Sequence, residues 1–128
     1  MERAIAVMTD LKDVSEWLTG AFIEQARIVP SGGCLRLELE LTRPCPEWPS
    51  MGRQGRRRVP HVKSRLSLGQ ITDMTVQRVT DAQGPMLSCD AIPGGYAMTI
   101  TGPDGTRWSL VLEQLNGQFA DYGQPRTL

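Results

Sequence analysis

The chain has 128 residues, 40% of them apolar and 22% charged, and its fourteen basic side chains balance its fourteen acidic ones. That length fits one domain around one core, and the composition excludes a disordered chain. The zero net charge gives no overall pull toward a polyanion or a membrane surface.

Three cysteines, Cys34, Cys45 and Cys89, include no close Cys-x-x-Cys pair, which argues against a disulfide framework and a zinc cage. His61 is the one histidine, so a multi-histidine metal site is excluded. The segment Met1–Asp13 carries Glu2, Asp10 and Asp13 and is not a secretory signal. No stretch approaches the roughly 20 apolar residues of a membrane span. A cytoplasmic protein with reduced thiols and no cofactor is expected.

In chain order, Arg3–Met8 reads as a short strand or the lead-in to a helix. Thr9-Asp10 then marks a helix start with Asp10 as cap. Leu11, Val14, Trp17 and Leu18 form one apolar stripe, and Gly20 stops the helix. Ala21–Val29 is extended, Pro30-Ser31-Gly32-Gly33 turns, and Cys34–Thr42 returns antiparallel. Leucines at 35, 37, 39 and 41, with Arg36, Glu38 and Glu40 between them, repeat with a strict period of two. Only a strand with one buried and one wet face uses that pattern.

Residues 43–60 break it with Pro44, Pro46, Pro49, Pro60, Gly52, Gly55 and a run of arginines, and read as one long loop. Val62–Leu68 and Ile71–Val79 are two further strands. In the last third, Met86–Ile92, Tyr96–Ile100, Trp108–Leu112 and Gln118–Tyr122 form a meander. Its turns are Pro93-Gly94-Gly95, Pro103-Asp104-Gly105 and Asn116-Gly117.

These elements predict a single mainly-β domain at the margin of α+β. It is an antiparallel sheet, sandwich or barrel-like, with one short N-terminal helix packed on it. The predicted core is Leu35, Leu37, Leu39, Leu66, Leu68, Met74, Val76, Leu87, Met98, Ile100, Trp108, Leu110 and Leu112.

Catalytic templates find little to hold. No Gly-x-Ser-x-Gly elbow, phosphate-binding loop or dinucleotide fingerprint occurs. Cys89 alternates with Leu87 and Ala91 and reads as a core thiol, and Cys45-Pro46 reads as part of the proline-rich loop rather than as a haem ligand. An enzyme would need Asp73, Asp90, Asp104, Glu113 and Asp121, or some pair of them, to converge in a cleft.

The one concentrated signal is basic. Arg53, Arg56, Arg57, Arg58, Lys63 and Arg65 stand against Glu47 alone between Pro44 and Arg65, with Trp48 placed to stack on a base or a guanidinium. Such runs are often only solvated surface, and here Glu38 and Glu40 are on hand to pair with them.

The expected function is therefore a non-enzymatic binding or protein-interaction module. It would act through a sheet edge or the basic loop, on a protein partner or a second copy. Nucleic-acid binding through Arg53–Arg65 is the alternative, and an enzyme with an unrecognised carboxylate site comes third.

Overall fold

The computed structural model describes residues 1–47, 59–80 and 86–126. It is a mainly antiparallel β fold, one sheet curled into a half-barrel with a single short helix against it. The elements are β1 (Glu2–Ile5), α1 (Met8–Trp17), β2 (Phe22–Ser31), β3 (Cys34–Pro44), β4 (His61–Arg78), β5 (Leu87–Ile92), β6 (Gly95–Thr101), β7 (Thr106–Leu112) and β8 (Gly117–Arg126).

The leucine ladder organises the sheet as its spacing requires. Leu37, Leu39 and Leu41 are wholly buried on the inner face, while Arg36, Glu38 and Glu40 stand on the outer one. β2 folds back on β3 through Gly32 and Gly33, both at positive φ (58° and 83°), the backbone of a two-residue hairpin turn. Pro30, expected in the turn, lies inside β2. It is tolerated because Ser31 and Cys34 flank the turn as a bonded pair, which aims the nitrogen of residue 30 away from β3.

β4 is the trunk of the fold. The two strands expected at 62–68 and 71–79 are one 18-residue strand, bent where Gln70 takes a positive φ of 58°. One edge of its first part carries β3. Along its other edge, β8 pairs with His61–Leu68 and β7 with Ile71–Arg78. The Asn116-Gly117 turn is accordingly not a hairpin, because β7 and β8 do not pair with each other and follow one another along β4. Two bonds hold the jog: Gly69 N–H donates to the Asn116 carbonyl, and Glu113 N–H to that of Gln70. Leu115 is buried beneath it. Gly117 permits the close approach, since a Cβ there would lie 2.4 Å from the Ser67 carbonyl oxygen.

β6 and β5 extend the branch beyond β7, and β1 extends the branch beyond β8. The helix bridges the two branches, packing against both β1 and β5. Leu11, Val14 and Leu18 turn inward, and Trp17 meets Phe119 with ring centroids 5.6 Å apart. It starts earlier than Asp10. Val7 is the N-cap residue, and Asp10 in the first turn accepts hydrogen bonds from the N–H groups of Ala6 and Val7.

The expected core holds except toward the far end of β4. Val76 is 53% exposed, while Leu35 and Met74 are half-buried. Their alternation is correct, but β3 ends opposite Ile71, so nothing from β3 covers the last turn of the curl.

Candidate functional site

Of the predicted basic residues, Trp48, Arg53, Arg56, Arg57 and Arg58 lie outside the described residues. Lys63 and Arg65 project from the outer face of β4, both into ion pairs. Arg65 Nε donates to Glu40 Oε1 at 2.7 Å, and its guanidinium lies 5.7 Å from the Tyr122 ring centroid. The Tyr122 hydroxyl donates to the other oxygen of Glu40. Lys63 is taken by Glu24, which also accepts from Thr42 Oγ1 at 2.7 Å. Further along the face, Arg27 pairs with Glu38.

Cross-strand neighbours of opposite sign thus tile this surface into a nearly neutral lattice. The hydrogen bonds from Lys63 and Thr42 hold the Glu24 carboxyl below its ordinary range, and the bond from Tyr122, with Arg65 beside it, does the same to Glu40. The Glu40 carboxylate in turn pushes the Tyr122 hydroxyl up. These are exposed pairs, screened by solvent, and they contribute little to stability.

Behind the same end of the sheet, on the inner face, is a feature not anticipated from the sequence. Arg43 continues the inward series of Leu37, Leu39 and Leu41 and is only 1% exposed. Its Nε and Nη2 form a fork onto Asp121 at 2.8 and 2.6 Å. Nη2 also meets Glu47 at 2.7 Å, and Nη1 donates to the Pro44 carbonyl at 3.1 Å. Ser64 Oγ donates to Asp121 Oδ1 at 2.7 Å, and the Phe119 ring lies 5.9 Å from the guanidinium carbon. Arg43 and Pro44 belong to β3, so the expected loop at 43–60 begins within a strand.

Burial works against the Arg43 charge, but Asp121 and Glu47 outweigh it and raise the pKa. For Asp121, burial pushes upward, while the bonds from Arg43 and Ser64 and the charge of Arg43 bring the carboxyl below its usual range. The signal was present in the chain. Positions 43, 64 and 121 keep the period of two set by Leu41, Leu66 and Phe119, so each polar residue falls on the inner face.

Cys45 belongs to the same cluster. It is 4% exposed, its backbone N–H donates to the Pro60 carbonyl, and its thiol donates to Glu47 Oε1 at 3.3 Å. Burial first, then the Glu47 carboxylate, pushes the thiol up. The thiol is therefore a buried structural donor at neutral pH. Iodoacetamide at pH 7.5 is expected to leave Cys45 unmodified in the folded protein and to alkylate it in denaturant. Peptide mass spectrometry reads both states, and modification of the folded protein would contradict the burial.

Among the described residues, each buried side-chain nitrogen and oxygen of this cluster has a partner, which makes it a structural clasp between β3, β4 and β8. The carboxylates considered for catalysis are dispersed. Asp121 is held by Arg43, Asp104 accepts from Thr106 across a turn, and Asp73 accepts from the N–H of Met74. Among the described residues, no three His, Cys, Asp or Glu side chains form a metal-sized group. Nor is any described helix long and apolar enough to cross a membrane. Compared with known proteins, the chain matches no family model, no curated protein and no solved structure.

Proposed function

We propose that the protein is a cytoplasmic, non-enzymatic interaction module whose β2 edge pairs antiparallel with β2 of a second copy. The observation that supports this reading is the open edge itself. Among the described residues, β2 pairs only with β3, leaving ten residues with one unmatched edge. The hairpin parity that aims Pro30 outward also aims the backbone groups of Ala26 and Ile28 outward, as donors and acceptors for another strand.

Ile28, 49% exposed, adds an apolar side chain at that edge. Pairing about a two-fold axis at Ile28 sets Ile28 against its copy, Arg27 against Val29, and Ala26 against Pro30, whose carbonyl accepts from Ala26 N–H while its nitrogen returns no bond. No like charges oppose each other.

The test is Ile28→Lys, which places a charge on the edge while the aliphatic stem of the lysine still covers the cross-strand neighbour Leu37. Sedimentation at tens of micromolar is expected to show a dimer for the parent chain. The variant is expected to be a monomer with an unchanged melting temperature. A monomeric parent chain, or a dimer that survives the substitution, overturns the reading.

A further inference from the structure

At one end of the outer face of the sheet, two irregularities bracket a cleft. In β2, Glu24 is an extra residue between the pairs Ile23–Leu41 and Gln25–Glu40, which re-aims its carboxylate across β3 toward Thr42 and Lys63. In β8, the pairs Lys63–Tyr122 and His61–Arg126 leave Val62 facing three residues, Gly123, Gln124 and Pro125, with Gly123 at a φ of +78°. That excursion lifts the end of β8 into a wall. Between the two irregularities is a space of about 400 Å³, within the range of small-molecule sites.

The walls are of two kinds. Phe22 and Tyr122, both exposed aromatics, supply apolar surface. His61 and Arg126, cross-strand neighbours on β4 and β8, supply hydrogen-bond donors. Lys63 is committed to Glu24, whereas Arg126 makes no ion pair among the described residues. The Nδ1 atom of His61 is buried and meets no hydrogen-bonding partner among the described residues. With Nδ1 turned away, Nε2 is the ring atom left to meet a ligand, and it donates when it carries the proton.

A donor pair facing aromatic surface in one cleft suits a ligand with an anionic head and a flat apolar body. We infer that this cleft is a binding site for a small aromatic carboxylate, its carboxylate held by Arg126 and His61 and its ring lying against Phe22 and Tyr122. The fork of an arginine matches a carboxylate in two parallel bonds, and the aromatic walls exclude water from one side of them. This inference is independent of edge pairing through β2, because the cleft opens on the face of the sheet.

Benzoate is the probe, with benzyl alcohol as its uncharged counterpart, read by amide chemical shifts of the full chain. Benzoate is expected to move the signals of Phe22, Thr42, Lys63 and Tyr122 saturably. Arg126→Gln is expected to weaken it about tenfold, the effect of removing one charge-assisted pair. Arg78→Gln, an exposed arginine at the far end of β4, is expected to change nothing. Benzyl alcohol is expected to bind about tenfold more weakly than benzoate on the same ground. Shifts spread over the surface, equal binding of the two probes, or equal losses in the two arginine variants would overturn the assignment.

Discussion

Asp121→Ala is expected to cost about 3–5 kcal/mol of stability, because it strands the buried charge of Arg43. Chemical denaturation read by tryptophan fluorescence measures it. Glu47 remains as one partner, but it reaches only Nη2, so Nε loses its acceptor and Ser64 loses the oxygen to which it donates. The loss belongs to the broken pair rather than to the pair's net worth. Arg43→Met combined with Asp121→Leu is therefore expected to recover most of it.

The same contact carries a pH signature. The folded pKa of Asp121 lies below its unfolded value, so its stabilisation is complete above the ordinary carboxylate range, near pH 4. It is lost as the pH falls through the depressed folded value. The stability gap between the parent chain and Asp121→Ala is thus expected to be constant near neutrality and to close in acid. A gap that did not narrow at all as the pH fell below about 4 would remove Asp121 from this role.

Phe119→Ala is the second large loss, again about 3–5 kcal/mol. The ring is completely buried, with Trp17 of the helix on one side and the Arg43 guanidinium within reach on another. Truncation leaves a cavity where three separate elements lean on one side chain, and β4 and β8 are too well paired to close it. Phe119→Leu, which keeps most of the volume, is expected to cost about 1–1.5 kcal/mol. Because Phe119 and Asp121 both touch Arg43, the Phe119→Ala and Asp121→Ala losses should not add. A double variant is expected to fall short of their sum. Strict additivity would show that Phe119 supports the helix alone.

Much of this architecture can be read from the chain wherever a short period operates alone. Leu37, Leu39 and Leu41 define their strand and its buried face without help, and Leu11, Val14 and Leu18 do the same for the helix. The reading stops short where the same rule meets a residue of unexpected chemistry. Arg43 stands in the next inward position, yet an arginine before a proline looks like the start of a loop until its distant partner Asp121 is known.

Other features depend on long-range geometry that no local pattern encodes. Val76 alternates correctly but lies beyond the end of β3, and Asn116-Gly117 has the composition of a hairpin turn while serving as a jog. The cleft joins Phe22, His61, Tyr122 and Arg126 from three strands, and its walls rise from irregularities in register that alternation cannot show. Lys63 and Arg65 belonged to a visible cluster of charge, yet their partners Glu24 and Glu40 are assigned only by pairing between strands.

The placement of β1 beside β8 also governs how the protein is made. Glu2 aligns with Ala120 and Ile5 with Gly117, so β1 has no partner until β8 has been synthesised. At about 5–20 residues per second, a ribosome takes roughly 6–24 s to pass from one to the other. Throughout that interval Leu11, Val14 and Leu18 have no finished sheet to cover, and the nascent chain carries an unshielded apolar helix face. Closure of the sheet therefore waits for β8, and the fold depends on its rapid capture of β1.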